Sequence, residues 1–322
     1  MELIAGDIGG THCRLAWVAG EAEGMQHLRF EQTYASAAFA TADDLIRQFI
    51  TDAKQPVSPD CLLLALPGPL HAQHATLTNL DWTLDAADMG ATLGMASVRF
   101  INDFQAAAAG VATLTASDVV VLNPHPAEAG AVRAITGAGT GLGLAFMLAN
   151  DSGRYQSFAS EGGHIDFAPA NAMQSRLLER LRAEHGHVSW ERVASGLAMN
   201  DLYRFCCVEN NRALPDETIA GAALSARAEA GDSAAEAALA LFIDLYGAWV
   251  GNVALLYQPR GGLYVAGGVS LNLRERMQLP RFMAAATDKG RMRSVVERTP
   301  IFLIINSRVG LQGAIATAFA PP

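Results

Sequence analysis

Two glycine-rich turns, each enclosed by a pair of short apolar strands, give the two halves of the sequence the same opening. The turns are Gly6 to Thr11 and Gly137 to Gly143. The predicted flanking strands are Glu2 to Ala5 and Arg14 to Val18 in the first half, and Val132 to Thr136 and Leu144 to Leu148 in the second. Glycine has no Cβ, so its backbone N–H can lie directly against an anion. A single turn of this kind is also typical of a tight β-turn without a ligand, but two in corresponding places favour phosphate binding.

The other apolar segments predict an α/β chain in which helices and strands follow each opening hairpin. A length of 322 residues is enough for two lobes or domains. The further predicted strands are Leu28 to Tyr34, Cys61 to Leu66, Val98 to Ile101, Tyr155 to Ala159, Leu263 to Ala266 and Ile301 to Ile305. The first predicted helix follows a Thr41 cap and extends to about Ala53, and a short second helix lies near Leu84 to Leu93. The other predicted helices are Gln105 to Val111, Asn171 to Glu184, Trp190 to Val208, Ala234 to Tyr257 and Gly310 to Phe319.

Charge and composition exclude several classes of partner. The chain is 51% hydrophobic and 17% charged with a net charge of -9, which argues against nucleic acid and anionic membranes as partners. Its only lysines are Lys54 and Lys289, so phosphate binding must depend on backbone N–H groups, arginine or a metal ion. The four cysteines lack zinc-type spacing and no signal peptide precedes Leu3, so we expect a cytoplasmic, reduced protein. The apolar run from Leu239 to Tyr257 contains Asp244 and several glycines, which favours a buried core helix over a membrane span.

Neither glycine turn fits the common nucleotide motifs. A P-loop requires a lysine after the glycine run, and none is present. A dinucleotide fingerprint requires a third glycine and a following helix. Counting from Gly137 that position is Leu142, and from Gly139 it is Leu144, where the sequence predicts a strand. A nicotinamide-binding role is therefore excluded by the context of the motif.

Asn102 and Asp103 follow the predicted strand Val98 to Ile101 and precede a helix rich in alanine. A carboxylate at this position can cap the helix. It can also face a ligand, because open α/β sheets bind ligands beyond the carboxyl ends of their strands. The local sequence alone favours the capping role.

These motifs together resemble the fold shared by sugar kinases, heat-shock ATPases and actin. Gly6 to Thr11 is similar to the first phosphate loop of that fold, Gly137 to Gly143 to the second, and Ala266 to Val269 to the turn that contacts adenosine. The segments Phe100 to Asp103 and Glu161 to Phe167 narrow the resemblance to bacterial glucokinases of the non-zinc group. The similarity extends in order from Leu3 to about Gly313. The chain has no cysteine between Cys61 and Cys206, unlike the zinc-binding branch of related kinases.

The resemblance implies a two-lobed actin-like ATPase (ribonuclease H-like) α/β fold, with a mixed sheet and flanking helices in each lobe and the active site in the cleft between the lobes. The implied domains are a small one of residues 1–112 plus 305–322 and a large one of residues 113–304. The implied activity is transfer of the terminal phosphate of ATP to glucose, giving glucose 6-phosphate in glycolysis. A cytoplasmic homodimer is also implied.

The resemblance also assigns site residues. Asp103 is expected to be the general base, taking the proton of the sugar 6-hydroxyl. The expected sugar contacts are Asn102, Asp103, Glu161, His164 and Glu191. The expected ATP contacts are Gly6, Asp7, Ile8, Gly9, Gly10, Thr11, Gly139, Thr140, Gly141, Gly267 and Gly268, with Asp7 holding Mg²⁺. Taken alone, Glu161 is a surface charge, Glu191 a helix-start acid, and His164 a structural histidine paired with Asp166.

Several alternatives stay open at this point. The acceptor sugar can be another hexose, since polar residues identify a hydroxylated ring but not its stereochemistry. A sugar-sensing regulator of the same fold would carry a basic DNA-binding domain before the first phosphate loop, and here that loop begins at Gly6. A chaperone-like or filament-forming ATPase would lack the paired polar sets. Asn79 is a further sugar candidate, and Ser195 to Ala198 lacks the Pro-Gly pair expected after Ser-Gly. His185 and His187 lack an evident third metal ligand, which favours a solvated loop.

Overall fold

The computed structural model describes residues 1–21, 24–77 and 80–320, which form two compact units. The first unit consists of Met1–Ala116, Tyr155–Ala159 and Asn306–Pro322, apart from the residues outside the described ranges. The second consists of Ser117–Arg154 and Ser160–Ile305. The sugar candidate Asn79 lies outside the described residues.

The first unit is built on a five-stranded sheet. Its strands are β1 (Glu2–Ile8), β2 (His12–Ala19), β3 (His27–Ala35), β4 (Cys61–Leu66) and β7 (Ser97–Asn102), in the order β3-β2-β1-β4-β7. The first three strands are antiparallel, whereas β1, β4 and β7 are parallel. The predicted first hairpin is therefore confirmed. A separate hairpin of β5 (His74–Leu77) and β6 (Trp82–Asp85) was not predicted.

Alternation along β1 separates the two faces of this sheet. Ile4 and Ile8 pack in one apolar cluster with the buried residues of α1 (Ala42–Ala53) and α2 (Ala86–Leu93). Leu3 and Ala5 pack on the opposite face with residues of α3 (Asp103–Gly110) and α13 (Val309–Phe319). Because side chains alternate along a strand, Asp7 belongs to the α3 and α13 face.

The strands of the second unit belong to a six-stranded sheet in the order β11-β10-β9-β12-β13-β8, in which residues 155–159 of β11 are grouped with the first unit. These strands are β8 (Val119–Asn123), β9 (Arg133–Ala138), β10 (Leu142–Ala149), β11 (Tyr155–Ser160), β12 (Leu263–Ala266) and β13 (Ile301–Ile304). The β9–β10 pair is the predicted second hairpin, and it is antiparallel. The strand β12 runs parallel to β9, and its last pairing joins Ala266 to Gly137.

The helices of the second unit are more numerous than the sequence predicts. They are α4 (Ala172–His185), α5 (Glu191–Ala194), α6 (Ala198–Glu209), α7 (Gly221–Glu229), α8 (Ser233–Tyr257), α9 (Gly268–Asn272), α10 (Arg274–Met277), α11 (Pro280–Thr287) and α12 (Arg293–Glu297). The single helix expected over Trp190 to Val208 is wrong, because Ser195 is extended (φ −129°, ψ 176°) and separates α5 from α6.

The helix α8 is the centre of the second core. An 18-residue window within its 25 residues has a mean hydropathy of 1.7, enough by length and composition to cross a membrane, but 72% of that window is buried inside the protein. Tyr246, Trp249 and Val250 are fully buried in the main apolar cluster of this unit. The run predicted as a core helix from its interrupting polar and glycine residues is confirmed as one.

Candidate active site

The first glycine turn is shorter than the sequence suggests. The strand β1 continues through Gly6, Asp7 and Ile8, which pair with Leu15, Arg14 and Cys13 of β2. A Cβ on Gly6 would lie 2.6 Å from a side-chain carbon of Leu64 and 2.7 Å from one of Leu15. Gly6 is therefore required for packing between strands, and Ile8 is fully buried in the core. The turn itself consists of Gly9, Gly10 and Thr11.

Ser36 stabilises this turn through two hydrogen bonds. Its hydroxyl donates to the Gly9 carbonyl (2.7 Å), and its backbone N–H donates to the Thr11 carbonyl (3.0 Å). The buried Cys13 thiol lies 3.2 Å from the Ser36 hydroxyl. Within residues 1–21, 24–77 and 80–320, the N–H groups of Gly10 and Thr11 donate no hydrogen bond. Because the Gly9 and Thr11 carbonyls are engaged and these N–H donors are available, the turn favours an anion.

Asp7 faces the first turn of α13. A Cβ on Gly310 would lie only 2.7 Å from Asp7 Oδ2, so the carboxylate contacts the helix where that residue has no side chain. Removal from water raises the pKa of Asp7 above its usual range, and the nearby Arg14 opposes that shift. Among the described residues, no side chain or backbone group donates a hydrogen bond to this carboxylate. Carboxylate oxygens that accept no hydrogen bond from the protein suit a hard divalent cation such as Mg²⁺.

The second glycine turn, Gly139 to Gly141, is held in a similar way by a distant segment. The N–H of Gly196 donates to the Gly139 carbonyl (2.8 Å), and the N–H of Leu197 donates to the Thr140 carbonyl (3.3 Å). In the part of the chain that the structure describes, the N–H groups of Thr140 and Gly141 donate no hydrogen bond. The non-helical segment between α5 and α6 thus supports this turn.

The segment Gly267–Gly268 follows β12 and begins α9. Gly267 has a φ of 98°, which L side chains rarely adopt, and a Cβ there would collide with the Ala138 carbonyl. Only glycine therefore fits between the end of β12 and the end of β9. Nothing lies within 4 Å of a Cβ built on Gly268.

At the end of β7, the helix α3 is capped by Asn102 and begins with Asp103. Asn102 is the helix cap, since its side-chain oxygen accepts from the N–H groups of Phe104 (3.0 Å) and Gln105 (3.1 Å). Its amide group donates to the Gly68 carbonyl (3.3 Å). Asp103 is the first residue of α3 and is half-buried, and its Oδ1 accepts from the N–H of Phe104 (2.8 Å). The capping position expected for a carboxylate is thus filled by the asparagine.

Glu191 connects the second glycine turn to the predicted sugar residues. Its Oε2 accepts from the N–H of Leu142 (2.8 Å), directly after Gly141. Its Oε1 lies 3.9 Å from Nε2 of His164, whose side chain is 59% exposed. His164 ends a short turn that Glu161 precedes, and the N–H of His164 donates to the Glu161 carbonyl (3.0 Å). The structure thus brings His164 and Glu191 together and joins Glu161 to them through the backbone.

The pairing of His164 with Asp166 is wrong. Asp166 instead lies 3.5 Å from Nδ1 of His187. His185 lies 3.4 Å from Asp201 and 4.0 Å from Glu184, a group of three whose ligand atoms are close enough for a metal ion. His185 and His187 therefore have separate partners. The carboxylate that lies close to His185, and that the sequence did not reveal, belongs to Asp201 of α6.

Comparison with known proteins agrees with these features. The sequence model of the glucokinase family matches residues 4–320. A glucokinase of Synechocystis sp. is 37% identical over 347 residues, covering 99% of this chain and 98% of that protein. The crystal structure of a glucokinase from an Antarctic psychrotroph superimposes with a TM-score of 0.82 at 30% identity, covering 98% of both chains. The structure of a ROK family glucokinase from Streptomyces griseus in complex with glucose and AMPPNP has a TM-score of 0.65 at 22% identity, covering 98% of both chains. That likeness shows the fold alone.

The α/β units with their flanked mixed sheets are those of the actin-like ATPase fold. The family match extends over nearly the whole chain and includes both hairpins, Asp103 and the Glu191 region. The chain therefore belongs to the glucokinase family, enzymes that phosphorylate glucose with ATP.

Proposed function

We propose that Asp103 is the general base of this reaction, accepting the proton of the glucose 6-hydroxyl as that oxygen attacks the γ-phosphate of ATP. The observation that carries the proposal is the division of roles at the end of β7. Asn102 caps α3, so the Asp103 carboxylate, whose Oδ1 accepts from the N–H of Phe104, is not needed as the cap. A base must reach the proton that it removes, and a strand end is where this fold class presents such groups.

The sugar-binding role is assigned to Asn102, Asp103, Glu161, His164 and Glu191. The Glu191 carboxylate is fixed through Leu142, which leaves its second oxygen, near His164, for a hydroxyl donor. Carboxylates form strong charge-assisted hydrogen bonds with hydroxyl groups. Glu191 would therefore contact the sugar and also support the turn that is proposed to bind the phosphates.

The nucleotide role is assigned to the two turns and to Gly267–Gly268. The donors proposed for the phosphates are the N–H groups of Gly10, Thr11, Thr140 and Gly141, because the carbonyls beside them are already engaged. Gly6 and Ile8 also serve in strand packing, and their contact with the nucleotide stays a prediction. Mg²⁺ would neutralise charge on the phosphates, with Asp7 holding it directly or through water. Other hexoses as acceptors, a homodimeric state, the cytoplasm as location and a place in glycolysis stay predictions.

Replacement of Glu191 by glutamine tests the shared role. Glutamine keeps the size of the side chain and an acceptor for Leu142 but removes the charge that favours sugar hydroxyls. We expect KM for glucose to rise roughly tenfold, because hydrogen bonds to charged groups are worth about 1.5–3 kcal/mol. Steady-state kinetics with glucose and MgATP varied separately measure this. Glu179→Gln, at an exposed position of α4, is the matched control and should leave both constants unchanged. An unaltered KM for glucose in Glu191→Gln would remove Glu191 from the sugar site.

Replacement of Gly310 by alanine tests the position of the Asp7 carboxylate. Alanine normally stabilises a helix relative to glycine, but here its Cβ would lie 2.7 Å from Asp7 Oδ2. We expect the Mg²⁺ concentration needed for half-maximal activity to rise roughly tenfold, since small displacements in a site have large effects. Gly221→Ala, where a Cβ meets its nearest atom at 3.6 Å, is the control. Equal Mg²⁺ dependence in both variants would show that Asp7 does not hold the ion.

A further inference from the structure

The strands β9 and β12 run side by side until Gly137 and Ala266, and then the chain leaves each of them through a glycine segment. The β9 chain enters the turn Gly139 to Gly141, and the β12 chain enters Gly267–Gly268. Ladder pairing between these two strands stops at this point, one residue before Ala138. Buried backbone groups that lose a ladder partner must find another, because leaving them unpaired is costly.

Tyr246 and Ser270 supply these partners. The N–H of Ala138 donates to the Tyr246 hydroxyl (3.1 Å), and the Ser270 hydroxyl donates to the Ala266 carbonyl (2.7 Å). The two hydroxyls lie 2.9 Å apart. Since the Ser270 hydroxyl proton is donated to the Ala266 carbonyl, the Tyr246 hydroxyl must donate to Ser270. Each of these two hydroxyls then donates one hydrogen bond and accepts one. Both side chains are fully buried.

These hydrogen bonds pair buried backbone groups, and they also connect the ends of two strands. The helix α8 is otherwise almost wholly apolar on its buried face, and burial raises the pKa of Tyr246 to about 12. The hydroxyl is therefore neutral and able to donate at all working pH values. The Tyr246 hydroxyl binds Ala138 directly and reaches Ala266 through Ser270, and these are the last residues before two separate glycine segments. The proposed function assigns both segments to one nucleotide.

We propose that Tyr246 and Ser270 are positioning residues for ATP, fixing the second phosphate turn relative to the Gly267–Gly268 segment. The inference rests on the proposed function for those two segments. The nucleotide spans both glycine segments, so its affinity depends on the distance between them. We call the hydrogen-bonded series Ala138–Tyr246–Ser270–Ala266 the relay. In the described part of the chain, the proposed sugar residues make no hydrogen bond with Tyr246 or Ser270. Loss of either hydroxyl leaves a buried group of the relay unpaired and lets the strand ends shift.

The test compares Tyr246→Phe, Ser270→Ala and the double variant with the wild-type enzyme. Each single variant should raise KM for MgATP roughly tenfold while KM for glucose and kcat stay within about twofold. The double variant should resemble either single one, because residues of one network are not additive. Tyr203→Phe is the matched control: Tyr203 is also nearly buried and bonded through its hydroxyl, to Asp232 at 2.8 Å, but it touches neither glycine segment.

Equal effects on KM for MgATP in Tyr203→Phe and Tyr246→Phe would overturn the inference, as would additive losses in the double variant. So would a loss of thermal stability in Tyr246→Phe without any change in KM for MgATP. Binding of a nonhydrolysable ATP analogue to the wild-type protein, measured by calorimetry, separates this inference from the proposed function. If the wild-type protein does not bind the analogue, the assignment of both glycine segments fails; if it binds and the relay variants bind equally well, only the relay fails.

Discussion

Asp103→Asn is expected to lower kcat by roughly three orders of magnitude, within the range that a positioned general base contributes. Asparagine has the shape of aspartate and can still accept the Phe104 N–H and hydrogen-bond a sugar hydroxyl, so the affinity for glucose should change by less than about threefold. The asparagine cannot take a proton. Turnover is therefore expected to fall while binding is kept, and kcat and the glucose dissociation constant, measured separately, show whether it does.

The fold should tolerate this change, because Asn102 and not Asp103 caps α3. Asp85→Asn provides a matched control at another helix start: Asp85 caps α2 by accepting from the N–H of Asp88 (2.9 Å), and asparagine caps equally well. That variant should retain wild-type turnover. A near-normal kcat in Asp103→Asn would show that another group accepts the proton.

Asp7→Asn is expected to affect activity and stability in opposite directions. Without the carboxylate, kcat/KM for MgATP should fall roughly a hundredfold, because the ion loses its protein anchor. Without ligands, however, the variant should unfold at a higher temperature than the wild-type protein at neutral pH. Burial raises the pKa of Asp7 in the folded state, so the ionised form is disfavoured there relative to the unfolded chain.

The pH dependence of that stability difference has a definite sign. A carboxyl whose folded pKa is raised destabilises the folded state above that pKa, and the effect disappears in acid, where both states are protonated. The advantage of Asp7→Asn should therefore be largest near neutrality and decrease as the pH approaches the usual carboxyl value of 3.8. Melting curves between pH 4 and pH 8, with and without Mg²⁺, measure it. A lower melting temperature for the variant at pH 7 without Mg²⁺ would contradict this account of Asp7.

Much of the fold could be predicted from local patterns. Both hairpins, the strand before Asn102 and the core helix α8 have strong hydrophobic signals and clear turn residues, and they are confirmed. The extension of β1 through Gly6 could not be read in this way, because glycine there is required by the neighbouring Leu15 and Leu64 rather than by a turn. The short helices after Gly268 have too few residues for a recognisable period.

The candidate site was only partly accessible from the sequence for a similar reason. Motifs identified the glycine turns, but not the residues that orient them. Ser36 and Gly196 lie 27 and 57 positions beyond the turn glycines that they hold, Gly9 and Gly139. Such contacts arise from tertiary packing, so a single sequence carries no local signal for them. The extended Ser195 before Gly196 was indicated only by the unusual Ser-Gly-Leu-Ala run.

The most direct test of the central claim is ADP release from MgATP with glucose, mannose, fructose, glucosamine or no sugar, with the product identified by ³¹P NMR. We expect ADP release that depends on a sugar, is fastest with glucose and yields glucose 6-phosphate. ADP release at the same rate without a sugar, or a product phosphorylated at another hydroxyl, would contradict it.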